Sequence, residues 1–352
     1  MKPPPRGFLR LGLTVLLLGI FAVGPASANP APADPRVRLA TEVAAAIESA
    51  LAADPGHGVR LLRADLRGSR LELDFSGELA ALGPGSAAFE AFSRRIHRAA
   101  GNVLSRDLTT YEVHTAIAGT ALHALLAPAD AALRQRPLRE APEPVTPTAA
   151  ALALRRIAIS PGHGYYQNAA GTWVLQRGYL QGIVEDFVNH DMITVVRDEL
   201  QAAGAEVLST RNLDRAAGNG ESGFPRWQEA ARYHVKSLGA PASVWNEPGY
   251  DHLSQDIRCR PLWANHVNAD VLVSLHNNGG GGTGTETLYD TNNGFGPESK
   301  RLADAVHNRV IAAIRRDYLA SWADRRVQGF NGSYGENRLA TRPAILIEVA
   351  FM

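Results

Sequence analysis

From Arg156 onward the chain alternates short, continuously apolar runs with segments of helical length, and that alternation restricts it to a sheet covered on both faces. The runs are Arg156-Ile-Ala-Ile-Ser160, Ala205 to Ser209, Val271 to Leu275 and Ala344 to Ala350, with an extended piece from Glu286 to Tyr289. Between them lie a helix from Ile183 to Ala203, stopped by Gly204, and another from Ser299 to Arg316. A strand with one wet face would alternate apolar and polar residues, and these do not. The fold class is therefore α/β, a mostly parallel twisted sheet with helices on both faces. In such sheets ligands bind beyond the carboxyl ends of the strands.

Three of these runs end on chemistry-bearing side chains. Ile157-Ala-Ile-Ser-Pro-Gly-His163 puts a histidine just past the first strand, and Val271-Leu-Val-Ser-Leu-His276 puts another just past a later one. Ile345-Leu-Ile-Glu348 sets a carboxylate inside the last strand. A buried, unpaired carboxylate costs several kcal/mol, so Glu348 needs a cation, a donor network or a proton. Arginine can supply the cation, but two histidines at neighbouring strand ends point to a metal ion. A catalytic tetrahedral site takes three protein ligands and keeps one open position, so a third is required. Glu185, opening the helix after the first strand, is the candidate from position, and Asp186 competes with it. Either can equally be a first-turn acid favoured by the helix dipole. Sequence separations of 22, 91 and 72 residues rule out a local motif such as HExxH.

Residues 35–127 read as a small α+β domain. Leu39, Val43, Ile47 and Leu51 mark an amphipathic helix stopped by Pro55-Gly56. Leu71, Leu73 and Phe75 alternate with Glu72 and Asp74 as a strand, Phe89, Phe92 and Ile96 give a second helix, and Tyr111, Val113, Thr115 and Ile117 another strand. Its histidines His57, His97 and His114 are scattered and form no metal pattern. Residues 128–152, rich in Pro and Ala without apolar period, read as a linker before a second domain at 153–352.

At the amino terminus, Lys2, Arg6 and Arg10 precede the apolar run Leu11–Val23 and then Ala26-Ser27-Ala28, the pattern of a secretory signal over residues 1–28 cleaved after Ala28. The run is shorter than the roughly 20 residues that span a bilayer, so no stable membrane span is expected after cleavage. An exported protein with one cysteine, Cys259, has no internal disulfide. With 36 Lys+Arg against 35 Asp+Glu there is no uniform field to hold a phosphate backbone, which disfavours nucleic acid as a partner.

Taken in order, Ile157-Ala-Ile-Ser-Pro-Gly-His163-Gly, Glu185 in its glycine-preceded helix, Leu208-Ser-Thr-Arg211-Asn-Leu-Asp214, Ala269-Asp270-Val-Leu-Val-Ser-Leu-His276-Asn-Asn, Gly284-Thr-Glu286-Thr-Leu-Tyr289 and Arg342-Pro-Ala-Ile-Leu-Ile-Glu348-Val-Ala-Phe351 resemble the zinc-dependent N-acetylmuramoyl-L-alanine amidases of the Amidase_3 type. The resemblance implies that His163, Glu185 and His276 bind Zn2+, and that Glu348 works beside the metal as the catalytic base. It also implies that the substrate is peptidoglycan, cut at the amide joining N-acetylmuramic acid to L-alanine by zinc-activated water, in the periplasm or at the cell wall. Another zinc amide hydrolase, a murein peptidase or a non-catalytic wall-binding regulator are the competing functions. The string from Leu71 to Leu79 resembles the GerMN-type accessory domain of cell-envelope proteins.

Three departures from the family pattern stand out. Tyr165-Tyr166 follows the histidine turn, where the family has further small residues. Residues 218–252, with Trp227, Trp245 and Tyr250, form an insertion that reads as a lid, a docking surface for a regulatory partner or a long loop. The sequence stops at Met352, directly after the Glu348 strand, where the family continues into a closing segment. Glu286 is expected to orient a metal ligand, and Arg211 with Asp214 to tie down a loop.

Overall fold

The apolar runs do form strands, and the strands share one sheet. The computed structural model describes residues 34–126, 151–180, 182–279 and 282–352. The expected export signal and nearly all of the expected linker lie outside the described residues. Strands β1 (Leu61–Arg67), β2 (Arg70–Phe75), β3 (Thr110–Ile117), β5 (Arg156–Pro161), β8 (Glu206–Ser209), β9 (Val271–Asn278), β10 (Thr285–Asp290), β11 (Asp324–Phe330) and β12 (Ala344–Phe351) run in the order β1-β2-β3-β11-β10-β12-β9-β5-β8. The short β4 (Thr120–Ala121) pairs with β3, and β6 (Tyr165–Gln167) with β7 (Trp173–Leu175) makes a separate hairpin. Antiparallel pairing is confined, within the main order, to β1 with β2 and β10 with β12.

Residues 35–127, expected as an accessory domain, contribute three strands of the main order, β1, β2 and β3, and the short β4. Their β3 pairs in parallel with β11, from Thr110 opposite Val327 to Val113 opposite Phe330. The side chains beneath follow suit: Leu71, Phe75, Phe89, Phe92, Ile96 and Leu104 share one core with Leu288, Phe330 and Leu346 from the other half. Pro35–Met352 forms one compact unit.

Helices α1 (Pro35–Ala52), α2 (Ala87–Asp107), α3 (Leu122–Leu125), α4 (Glu185–Ala202), α5 (Ala231–Ser237), α6 (Ala242–Trp245), α7 (His252–His266), α8 (Gly296–Asp317) and α9 (Gly335–Arg338) complete the described fold. Helix α2 starts at Ser86, whose side chain accepts from the Phe89 N–H and satisfies one of the donors a helix start leaves free. Helix α7 starts likewise at Asp251, which accepts from the Ser254 N–H. The 218–252 insertion is folded, since it contains α5 and α6. Arg211, fully buried, pins it by donating to the backbone carbonyls of Glu229, Trp227 and Asp186 at 2.8–2.9 Å. Asp214 accepts from the Ala216 N–H and closes its own turn, as expected of a loop-fixing residue.

A candidate metal centre at the strand ends

Parallel pairing decides what meets at the sheet edge. Strand β9 lies between β5 and β12, all parallel, with Leu275 opposite Pro161 and His276 opposite Glu348. His276 is thus inside β9 and not just past its end, because β9 continues to Asn278. His163 follows β5 by two residues, and both rings are buried. Glycine is needed on either side of His163. A Cβ at Gly162 would stand 2.0 Å from the His276 ring, and Gly164, at φ +122°, has the Ala230 backbone 2.6 Å from where a Cβ would be.

Glu185 joins them from the first turn of α4. Its Oε1 lies 3.1 Å from His163 Nε2 and 3.0 Å from His276 Nδ1, and those two nitrogens are 3.2 Å apart. Asp186 points elsewhere: its Oδ1 accepts from the N–H groups of Gly164 and Gln176 at 2.7 and 3.2 Å, which fastens the histidine turn. Of the two acids, only Glu185 faces both rings.

The outward nitrogens of both rings are spoken for. His163 Nδ1 is 3.0 Å from Gln176 Oε1, and the Gln176 amide is oriented by its Nε2 donating to Asp256 at 2.8 Å. A carbonyl oxygen only accepts, so the hydrogen of His163 sits on Nδ1 and Nε2 turns a lone pair inward. His276 Nε2 donates to Glu336 Oε1 at 3.0 Å, which leaves Nδ1 facing inward in the same way. Two imidazole lone pairs and a carboxylate oxygen therefore face one another, all within 4.8 Å. Such a trio repels itself unless a proton or a cation sits among its members, and its nitrogen and oxygen donors suit a borderline divalent ion. Among the described residues this is the cluster that could hold a metal ion.

The electrostatics agree. Burial, aided by the charge of Arg177, holds His163 well below the usual histidine range and hence neutral. Burial alone would depress His276 too, but Glu336 and Glu185 outweigh it and push the ring up to about 9. Burial raises the Glu185 carboxyl, yet His163, His276 and Arg177 together hold it well below the carboxylate range. A proton on the pair His276–Glu185 is what a metal would displace.

Glu348 stands beside the cluster, 3% exposed, with its Oε1 3.1 Å from Arg94 Nη1 and its Oε2 buried without a hydrogen-bond partner. Burial pushes its carboxyl up to about 7, although His276 and Arg94 pull the other way. Glu286 lies opposite Glu348 in the β10–β12 register. Contrary to expectation it orients no member of the trio: its Oε1 accepts from Asn278 at 2.7 Å, while its Oε2 accepts from Arg325 and Gln328. It fixes instead the end of the strand that carries His276. Tyr165, also singled out, stacks on Phe224 at 4.1 Å and lines the hairpin rather than the trio.

Glu336, Gln176, Asp256 and Arg260 were not found from sequence. Arg260 bridges Asp256, at 2.7 Å, and Glu336, so one buried guanidinium sets both the amide that orients His163 and the acid that orients His276. Nothing local marks Glu336, which sits on the single-turn α9 within a polar stretch.

The profile of the N-acetylmuramoyl-L-alanine amidase family (Amidase_3) matches residues 157–352, more than half of the chain. No curated protein matches it. Among solved structures, it is similar to the N-acetylmuramoyl-L-alanine amidase of Clostridium difficile 630, with 23% identity over 56% of this chain and 80% of that one and a TM-score of 0.36. It is also similar to the apo amidase of Mycobacterium abscessus, at 17% identity over 57% and 85% with a TM-score of 0.37. A further likeness is to the catalytic domain of an amidase from Bacillus (Paenibacillus) polymyxa var. colistinus, at 20% over 56% and 81% with a TM-score of 0.34. On the strength of the profile match over the residues that build the strand-end cluster, the chain belongs to the N-acetylmuramoyl-L-alanine amidases, enzymes that cleave peptidoglycan.

Proposed function

We propose that this amidase hydrolyses the bond between N-acetylmuramic acid and L-alanine with Zn2+ held by His163, Glu185 and His276, and with Glu348 as general base. One observation carries the reading: both histidines have their outer nitrogens committed to Gln176 and Glu336, so their lone pairs converge on Glu185. Zinc bound there would supply a Lewis acid and lower the pKa of a water towards ~7. The remaining work belongs to the chain. Glu348 Oε2, having no hydrogen bond of its own, takes the proton from the attacking water and returns it to the departing amine of L-alanine. Arg94 on Oε1 keeps the other oxygen out of that exchange. Asn277, whose N–H donates to Glu185 Oε1 at 3.2 Å, and Asn189, at 3.1 Å, hold the acidic ligand in place.

A peptidoglycan substrate implies an extracytoplasmic role, and the signal pattern at residues 1–28 supports export as the route. No described helix is long and apolar enough to cross a membrane.

Treating the purified chain with a chelator is expected to abolish hydrolysis of purified sacculi, and adding zinc back to restore it. Mass analysis should then show free L-alanine amino groups and no cuts between peptide residues. Undiminished activity after complete metal removal, or cleavage within the stem peptide, would each overturn the reading. Removing the carboxylate behind His276, by Glu336→Gln, is expected to weaken zinc binding ~10–100-fold in a competition titration, since Arg260 keeps Asp256 as partner and the fold survives.

A further inference from the structure

The catalytic pocket has a wall that the family-matched residues 157–352 do not supply. Helix α2, from the amino-terminal block, faces a cavity of about 220 Å³ that is also lined by Glu185, Asn277 and Glu348. Three successive turns of α2 reach across it. Glu90 accepts from the Gly335 N–H at 2.9 Å, next to Glu336. Arg94 binds Glu348 Oε1 at 3.1 Å and, with its other arm, Glu90 Oε1 at 2.6 Å. Arg98 donates to the carbonyl of Gly279, three residues beyond His276. The start of the helix is fastened to α7 through the Ala87 N–H, which donates to Ser254 Oγ at 2.9 Å.

We propose that Arg94 is a positioning residue for the base, and that the amino-terminal block is thereby part of the catalytic unit. The inference rests on the reading of Glu348 as that base. Held from one side by a planar guanidinium that is itself anchored to Glu90, the Glu348 carboxylate has one oxygen fixed and one free. A removable plug would touch the site through polar contacts alone. Helix α2 is not of that kind, because its opposite face (Phe89, Phe92, Ile96, Leu104) is core shared with Phe330 and Leu346.

The test is a cycle on the full-length, zinc-loaded protein with Arg94→Ala, Arg94→Lys, Glu348→Gln and the double variant Arg94→Ala/Glu348→Gln, reading kcat, KM and zinc content on a defined muropeptide. Arg94→Ala should lower kcat ~10²-fold with KM and zinc content unchanged. Arg94→Lys, which keeps the charge but not the two-armed geometry, should recover part of the loss. In the double variant Arg94→Ala should cost nothing beyond Glu348→Gln. Should Arg94→Ala not fold, the lysine variant carries the same kcat-against-KM comparison. An inactive Glu348→Gln beside an Arg94→Ala as fast as, or faster than, the parent overturns the positioning role alone. An active Glu348→Gln overturns the assignment of the base and this inference with it.

Discussion

Glu348→Gln is expected to lower turnover by ~10²–10⁴-fold, about 3–5 kcal/mol of barrier, while zinc content and melting temperature stay as they were. The substitution preserves shape and an acceptor oxygen for Arg94, so the contact at Oε1 survives. It leaves no uncompensated buried cation either, because Arg94 keeps Glu90 at 2.6 Å. What disappears is basicity. Burial has raised the Glu348 carboxyl to about 7 in spite of Arg94 and His276, which is where a group that must both take and return a proton near neutrality works best. Single-turnover hydrolysis of a muropeptide, with metal analysis on the same sample, checks the expectation. Turnover within tenfold of the parent at full zinc occupancy would place the base elsewhere.

The convergence of His163, His276 and Glu348 at one end of the sheet was legible because each interrupts a pattern. His163, His276 and Glu348 stand where an apolar run should give way to an ordinary loop, and a parallel sheet brings the carboxyl ends of its strands to one edge. Glu185 was legible only as one of two neighbouring acids. Position along α4 did not separate it from Asp186, and the separation came from the direction of each side chain in three dimensions. The residues that orient the cluster left no such mark. Glu336 sits in the stretch Asn331–Arg342, nearly all of it buried although much of it is polar, and only tertiary partners such as Arg260 make that burial tolerable. Arg94 looks like any arginine on the wet side of an amphipathic helix, since its partner lies 254 residues away.

The same limit hides from the sequence the junction of the amino-terminal block with the rest of the sheet. Its strand β3 shows the alternation of a half-buried strand, which gives no hint of its neighbour. The neighbour, β11, reads Asp-Arg-Arg-Val-Gln-Gly-Phe and lacks an apolar run altogether. Two of its polar side chains, Arg325 and Gln328, are buried because they are used: both donate to Glu286. A strand built around an internal salt bridge does not announce itself by hydrophobicity. The seam between the two halves was therefore invisible from the residues on either side of it.

A chain cut to residues 151–352 is accordingly expected to fail to fold, and so to show neither a cooperative melt nor hydrolysis of sacculi. The cut strips β3 from β11, leaving the backbone of Val327–Phe330 as an unpaired sheet edge in place of an interior position. It also uncovers Leu288, Phe330 and Leu346, each now almost fully buried against residues of the missing block. At ~1.5–3 kcal/mol for each such side chain, the loss is on the order of 5–9 kcal/mol. That is comparable with the whole stability of a typical domain, ~5–15 kcal/mol. The cut would also take from Glu348 its guanidinium partner Arg94. Near-ultraviolet circular dichroism and a thermal melt of the shortened chain, beside the full-length protein, decide the matter. A cooperative transition with native near-ultraviolet signal would show that the continuous sheet is a convenience of the longer chain and not a condition of its folding.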